Sequence, residues 1–367
     1  MKTYKIKMTL ITPVHIGTGE NYEPTNFIID SGYLYEFDEF SFYEKLPKND
    51  KEEFNKLVER KDNLALSSIN SFIEKRKEIV KNIFLSKTKV TKGIEKEYIN
   101  RINKISQFEG KNTKKPIINQ FQIQKTIKDM NTNKAYIPGS SIKGSISTAF
   151  QEYIYKTHGY KTWESDFKLS NENIFKNISI SDTTVLKSSS LIAFSLNKER
   201  FEEDEQGPST KVEVICENSQ FETTLQIKDF KTKKEISIDE IIKACNAHYF
   251  TLFESMFKQK NIYKNSLVDD YVIDYFKEEF YEKYLDFKIE NKNQFLLRIG
   301  KHSGARAVTI EGIRNIKVKV NGVGPKRKND IYENLEEETT TWLLGENSES
   351  TETLLPFGWV LCELVKD

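Results

Sequence analysis

Cysteine is scarce in this chain: Cys216, Cys245 and Cys362 are the only three in 367 residues, widely spaced, odd in number and without a CxxC pair. That pattern argues against a disulfide framework and a cysteine zinc site, and it predicts a reducing, cytoplasmic setting. Net charge is nearly absent as well, at +1 from 56 basic and 55 acidic residues, so nothing global announces a polyanion partner. No stretch approaches the roughly 20 apolar residues of a membrane span, and the N-terminus alternates lysine with apolar residues, so no membrane association is expected. The chain has no HExxH, no HD pair and no dinucleotide glycine pattern, and its runs of carboxylates do not make a metal-site pattern. Lys143 precedes Gly144, whereas an ATP-binding P-loop needs Gly-Lys-Ser/Thr in that order. Neither a cofactor nor a metal site is expected, and no catalytic residue is assigned.

What is present begins with length, which is enough for two domains with separate cores. Charge is unevenly distributed: residues 87 to 134 hold twelve Lys/Arg against four Asp/Glu, while residues 330 to 352 hold eight acids and no base. A polyanion would therefore be met by local patches. The stretch with the sharpest local physics is Tyr136 to Ile154. Pro138 and Gly139 break the preceding segment, Ser140 or Ser141 is placed to cap a helix, and Ile142, Ile146, Ala149, Phe150, Tyr153 and Ile154 form one apolar face. Lys143, Ser147 and Gln151 fall on the opposite face. Lys143 is thus predicted to stand in the first turn, beside free amides and the positive end of the helix dipole, with Gly144 leaving the backbone bare behind it. That is the chemistry of a phosphate site.

Elsewhere, Tyr4, Ile6, Met8 and Leu10 alternate with polar residues as in a half-buried strand, followed by a loop carrying His15, Gly17 and Gly19. Residues 26–30 and 33–37 predict a hairpin around Ser31 and Gly32. From about 40 to 107 the pattern is helical, with a basic tail over 87–115 in which Tyr98 and Phe108 interleave with lysines as in single-strand binders. Residues 211–215 and 221–227 read as another hairpin, 238–259 as a helix with His248 at the core edge, and 271–284 as a further helix. A strand at 295–299 leads into a loop in which Gly300, Lys301, His302, Ser303, Gly304 and Arg306 offer amides and donors to a phosphate. Residues 326–353 read as an exposed linker before a last strand at 354–365.

Four stretches carry a resemblance: Ile137-Pro138-Gly139-Ser140-Ser141-Ile142-Lys143-Gly144, Thr12 to Gly19, Arg298 to Gly304, and Leu355-Pro356-Phe357-Gly358-Trp359-Val360-Leu361. Together they resemble the RAMP superfamily of CRISPR effector subunits, and the last stretch is most similar to the closing strand of a subunit family of type III-A (Csm) complexes. The resemblance implies an α+β fold of two ferredoxin-like, RRM-like βαββαβ domains: 1–160, with a helical insertion at about 40–115, and 161–367, with the glycine-rich loop 300–306. It implies a non-catalytic subunit that binds crRNA, caps the backbone filament and holds the 3′ part of the guide. The implied contacts are His15, Gly17, Gly19, Ser140, Ser141, Lys143, Gly144, Gly300, Lys301, His302, Ser303, Gly304 and Arg306. Implied partners are crRNA, the adjacent backbone subunit, other Csm subunits and host nucleases that trim the guide. The aromatic RNP motif of an RRM is absent, so RNA is expected to be held through loops and backbone. Two rivals stand beside this reading. One is a RAMP endoribonuclease using His15 or His302, or an acid at Asp30 or Asp38; the other is a scaffold that binds no RNA.

Overall fold

The computed structural model describes residues 1–61, 65–102, 107–108, 116–117, 121–168, 173–199, 207–228, 236–253, 293–320, 331–350 and 354–365. The chain is a mixed α+β protein built on two main sheets. The first has Lys2–Leu10 at its centre, antiparallel to Gln220–Ile227 on one side and to Trp359–Leu364 on the other. Gln294–Arg298 lies beyond the latter, and Ile178–Ile180 with Thr184–Lys187 completes the opposite edge. The period-two pattern of the first strand explains its place: Ile6, Met8 and Leu10 are buried under the helix Gly139–His158 and the helical segment Ile238–Cys245, which runs on into a wider turn over Asn246–Phe250.

The second sheet runs in the order Gly17–Tyr22, Ile123–Thr126, Thr210–Ile215, Ser190–Glu199, Ser86–Val90, Tyr33–Glu36, Phe27–Asp30. It curls until the rings of Tyr22 and Phe27, from its first and last strands, lie 6.2 Å apart. Ile94 and Tyr98, from the helix Lys92–Ile102, fill the interior so formed together with Leu34, Ile123 and Phe194. Both sheets draw strands from either side of residue 160, so a cut there would sever hydrogen-bonded partners in each. Among the described residues no helix is long and apolar enough to cross a membrane.

Several expectations change here. The hairpin of Asn26 to Phe37 forms, with Asp30 opposite Tyr33 and Ser31 and Gly32 both at positive φ. The expected hairpin of 211–227 does not. Thr210–Ile215 pairs with Ser190–Glu199 in the second sheet, while Gln220–Ile227 pairs with Lys2–Leu10 in the first. The short turn between them carries the chain from one sheet to the other, and alternation in sequence does not reveal which neighbour a strand will take.

The helical region consists of Glu39–Lys45, Lys48–Val58, Ala65–Glu74 and Lys77–Ile83 around Phe42, Phe72 and Val80, but Ser86–Val90 interrupts it as a strand. Ser86, Thr88 and Val90 point inward and Lys87 and Lys89 outward, a period-two signal masked by the high lysine content. Tyr98 is buried with its hydroxyl donating to Glu74, so it is a core residue, whereas the side chain of Phe108 lies outside the described residues. Within the expected linker 326–353, Ile331–Leu335 pairs with Ile316–Val320, and Thr340–Gly345 pairs with Ser190–Glu199. The expected helix at 271–284 falls outside the described residues.

Candidate nucleic-acid interface

Four chain segments meet where the two sheets adjoin. Val14 and Ile215 exchange backbone hydrogen bonds of 2.9 and 2.8 Å as their strands pass between the sheets. Gly358 N donates to Pro13 O at 2.9 Å, Ile299 N to Gly358 O at 2.8 Å, and Lys301 N to His15 O at 2.9 Å. The loops at 12–19 and 298–306, far apart in sequence, are thereby fastened side by side. Ser145 Oγ, from the helix Gly139–His158, donates to Arg298 O at 3.1 Å and ties that helix to the same seam.

His15 sits inside the seam, fully buried. Its Nδ1 donates to Glu213 O at 2.7 Å, which leaves Nε2 as the unprotonated nitrogen. Burial lowers its pKa, against the opposing effect of the Glu213 carbonyl. His302 stacks on it with ring centroids 6.2 Å apart and packs against Trp342 and Phe357 at 4.4 and 5.2 Å. Burial, then the neighbouring His15 and Lys301, pushes the His302 imidazole down to about 3. One buried and one half-buried imidazole, both with lowered pKa, are poorly placed to exchange protons with a ribose hydroxyl.

They also set a pH dependence. Between its ordinary value of 6.5 and about 3, the unfolded chain binds a proton at position 302 that the folded protein refuses, so this contribution to stability is lost as pH falls through that window. The urea midpoint is expected to drop between pH 7 and pH 5 by less in His302→Asn, whose side chain tolerates the positive φ of 68° at this position, than in the wild type. Equal drops would assign the acid sensitivity to other groups.

The rest of the glycine loop is largely committed to its own structure. Ser303 Oγ donates to Gly300 O at 2.9 Å, and Arg306 Nε donates to Glu338 Oε1 at 3.0 Å. Lys301 is exposed, and among the described residues its Nζ reaches only the uncharged Gln124 side chain, at 2.8 Å. Gly17 and Gly19 are also exposed, on the strand that follows His15.

At the signature helix the expected cap is not made. Helical residues begin at Gly139, Pro138 holds the N-cap position, and neither Ser140 nor Ser141 caps by its side chain. Asp182 instead accepts from Gly139 N at 2.8 Å, so the positive end of the dipole already faces a carboxylate 43 residues away, which no local signal could announce. Gly139 is required for packing, because a Cβ there would lie 2.2 Å from Ile180 O. Lys143 is only partly exposed. Its ammonium donates to Ile178 O at 2.7 Å, and burial, with the charge of Lys228, lowers its pKa. Ser140 and Gly144 are exposed, and the space beyond Gly144 is open.

The two acids weighed for catalysis have structural partners. Asp38 caps the helix Glu39–Lys45 by accepting from Ser41 N at 2.7 Å. Asp30 is held by Lys77 and Lys81, which keep its carboxyl well below the usual range. The buried polar residue that sequence reasoning passed over is Glu213. It is the one acid of the strand Thr210–Ile215, completely buried, and ion-paired with Lys128 at 2.6 Å.

Comparison with known proteins places these features in a family. The family model of the RAMP superfamily matches residues 7–327. A Csm5 protein of the CRISPR system of Streptococcus thermophilus is 28% identical over 153 residues, 40% of this chain and 37% of that protein. A Csm5 protein of Methanocaldococcus jannaschii is 30% identical over 151 residues, again 40% of this chain and 30% of the relative. These alignments span about a third of the relatives' own lengths. Among solved structures, a chain from a Csm–crRNA–target RNA ternary complex of a type III-A CRISPR–Cas system superposes with a TM-score of 0.53 at 16% identity, covering 99% of this chain and 100% of that one. Csm5 of T. onnurineus superposes with a TM-score of 0.48 at 14% identity, covering 80% and 89%. At such identity the first superposition speaks for a shared fold.

Proposed function

The chain belongs to the RAMP superfamily, and from that premise we propose that it is a non-catalytic, crRNA-binding subunit of a type III-A CRISPR effector complex. In this reading it caps the backbone filament, holds the 3′ part of the crRNA, and supports guide maturation and antiviral defence. Its partners are crRNA, the adjacent backbone subunit and other Csm subunits, with trimming nucleases visiting the guide. Two ferredoxin-like units, each a sheet with its covering helices, belong to the same proposal.

The observation that carries the reading is the seam. Two glycine loops with family-like wording are fastened together so that Gly17, Gly19 and Lys301 face solvent while His15 is enclosed and His302 is half-buried against it. Exposed backbone and the exposed Lys301 ammonium, held only by a neutral amide oxygen among the described residues, read phosphates and sugars, which positions an RNA without selecting its sequence. The helix start adds Ser140, Ser141 and Gly144 to this surface. Lys143 contributes its charge only by leaving Ile178 O, and His15, Gly300, His302, Ser303, Gly304 and Arg306 shape the loops from behind. The enclosure of His15, the half-burial of His302 and the structural engagement of Asp30 and Asp38 favour binding over endoribonuclease chemistry.

The test uses the full chain and labelled single-stranded RNAs of equal length and unrelated sequence, with and without divalent metal. Similar affinities and intact RNA are expected. Lys301→Ala should make the slope of log affinity against log salt shallower by about 0.7, the single-strand value per phosphate contact, with folding changed by no more than about 0.5 kcal/mol. Metal-dependent cutting of the RNA would replace this reading with the endoribonuclease one.

A further inference from the structure

One surface outside the seam has a composition that neither the fold nor the family-like loops require. On the outer face of the second sheet, Tyr33 stands directly opposite Lys89 and Tyr35 opposite Lys87. Directly opposite residues of an antiparallel pair project from the same face, so two tyrosines and two lysines alternate on one patch. Tyr35 is buried where the helical region covers the sheet, and its ring meets Phe84 at 5.7 Å and Tyr33 at 6.5 Å. Tyr33 emerges beyond that cover at 37% exposure, and Phe84 is 43% exposed. The three rings therefore form a row with the buried Tyr35 in the middle and an exposed ring at each end.

The lysines are exposed, and neither has a carboxylate within ion-pair distance among the described residues. Lys87 instead lies over the rings, its Nζ 4.1 Å from the Tyr33 centroid and 5.1 Å from that of Tyr35. An ammonium over an exposed ring is a weak contact, readily exchanged. Lysine is also depleted where proteins dock on proteins, whereas interleaved aromatics and bases are what a single strand needs, a flat ring for a base and a cation for the adjoining phosphate.

We infer that Tyr33, backed by the Tyr35 ring and with Lys87 and Lys89 around it, is a stacking site for an unpaired nucleobase of single-stranded RNA. An incoming base takes the place of the Lys87 ammonium on the Tyr33 ring, and both lysines turn to the flanking phosphates. The site rests on the RNA-binding reading above, but it differs from the seam in mechanism, because it holds a base and not only the backbone. It reads no base edge, so it adds affinity without sequence preference.

The experiment measures binding of the full chain to labelled oligoadenylate and to an oligomer of the same length with abasic sites. Tyr33→Ala is expected to weaken oligoadenylate binding about tenfold and to leave the abasic oligomer unaffected, while Tyr33→Phe, which keeps the ring, binds as the wild type does. Lys87→Gln combined with Lys89→Gln should make the salt slope shallower by about 1.4, two phosphates at 0.7 each. Melting temperatures of all variants should match the wild type. Wild-type RNA binding with no loss in Tyr33→Ala overturns the stacking site and leaves the functional reading standing. Unchanged RNA affinity with loss of incorporation into the assembled complex assigns the patch to a protein neighbour and overturns it as well. A wild type that binds no RNA, alone or assembled, removes both.

Discussion

Gly300→Ala is expected to cost about 3 kcal/mol or more of stability, and any loss of RNA binding in that variant follows from the fold and not from a missing phosphate contact. Gly300 has φ of +84°, a region that costs an L-residue about 1–2 kcal/mol. Its new Cβ would also lie 2.6 Å from His15 O, 3.2 Å from Ile16 Cδ1 and 3.3 Å from Val14 Cγ1. The nearest of these atoms is backbone, and the hydrogen bond from Lys301 N to the same carbonyl prevents it from moving away without opening the seam. Gly19→Ala is the matched control: φ is +85°, but nothing lies within 4 Å of the added methyl, so only the conformational cost remains. Urea and thermal unfolding of the two variants separate the terms. Equal losses at both positions would mean that the seam yields easily and that the close contact at Gly300 is not a constraint.

The first strand, the hairpin at Ser31–Gly32 and the apolar face of the signature helix were readable because each is a local pattern with one solution: a period of two, a turn needing positive φ, a period of 3.6. The family-like stretches also pointed to segments that do meet, since His15 and Lys301 pair across the seam. Decisions made between distant segments were not readable. The strand Thr210–Ile215 leaves its apparent hairpin partner for the other sheet, Ser86–Val90 hides an inner strand under four polar residues, and Asp182 takes the helix end intended for a phosphate. In each case the local pattern is compatible with two partners, and long-range packing selects one. The same limit applies to the histidines. Glycine neighbours place His15 and His302 in loops, but burial, which decides whether a ring titrates or contacts RNA, is a property of how four segments close over them.

The second large effect is expected at Glu213. Its carboxylate is completely buried and accepts from Lys128 Nζ at 2.6 Å, Tyr22 Oη at 3.1 Å, Thr88 Oγ1 at 3.2 Å and Thr126 N at 3.3 Å. Burial, together with this carboxylate, holds the Tyr22 phenol far above the usual range, so Tyr22 remains a donor at any working pH. Glu213→Ala leaves the Lys128 charge and the Thr126 amide without the group that neutralises and accepts from them, and removing one partner of a buried pair costs about 3–5 kcal/mol. Lys128→Met should be similarly costly because it strands the buried anion. Combining Lys128→Met with Glu213→Leu removes both charges, so the double variant should lose clearly less than the sum of the singles, with a coupling of about 1–3 kcal/mol. The cycle is read from urea midpoints of the four proteins, and strict additivity would mean that solvent reaches the pair and screens it. The position matters to the site as well as to the core, since the carbonyl of Glu213 is the acceptor that fixes His15. A destabilised Glu213 should therefore loosen the seam first, and hydrogen exchange at the Lys301 amide, bonded to His15 O, should rise before exchange at the centre of the first sheet.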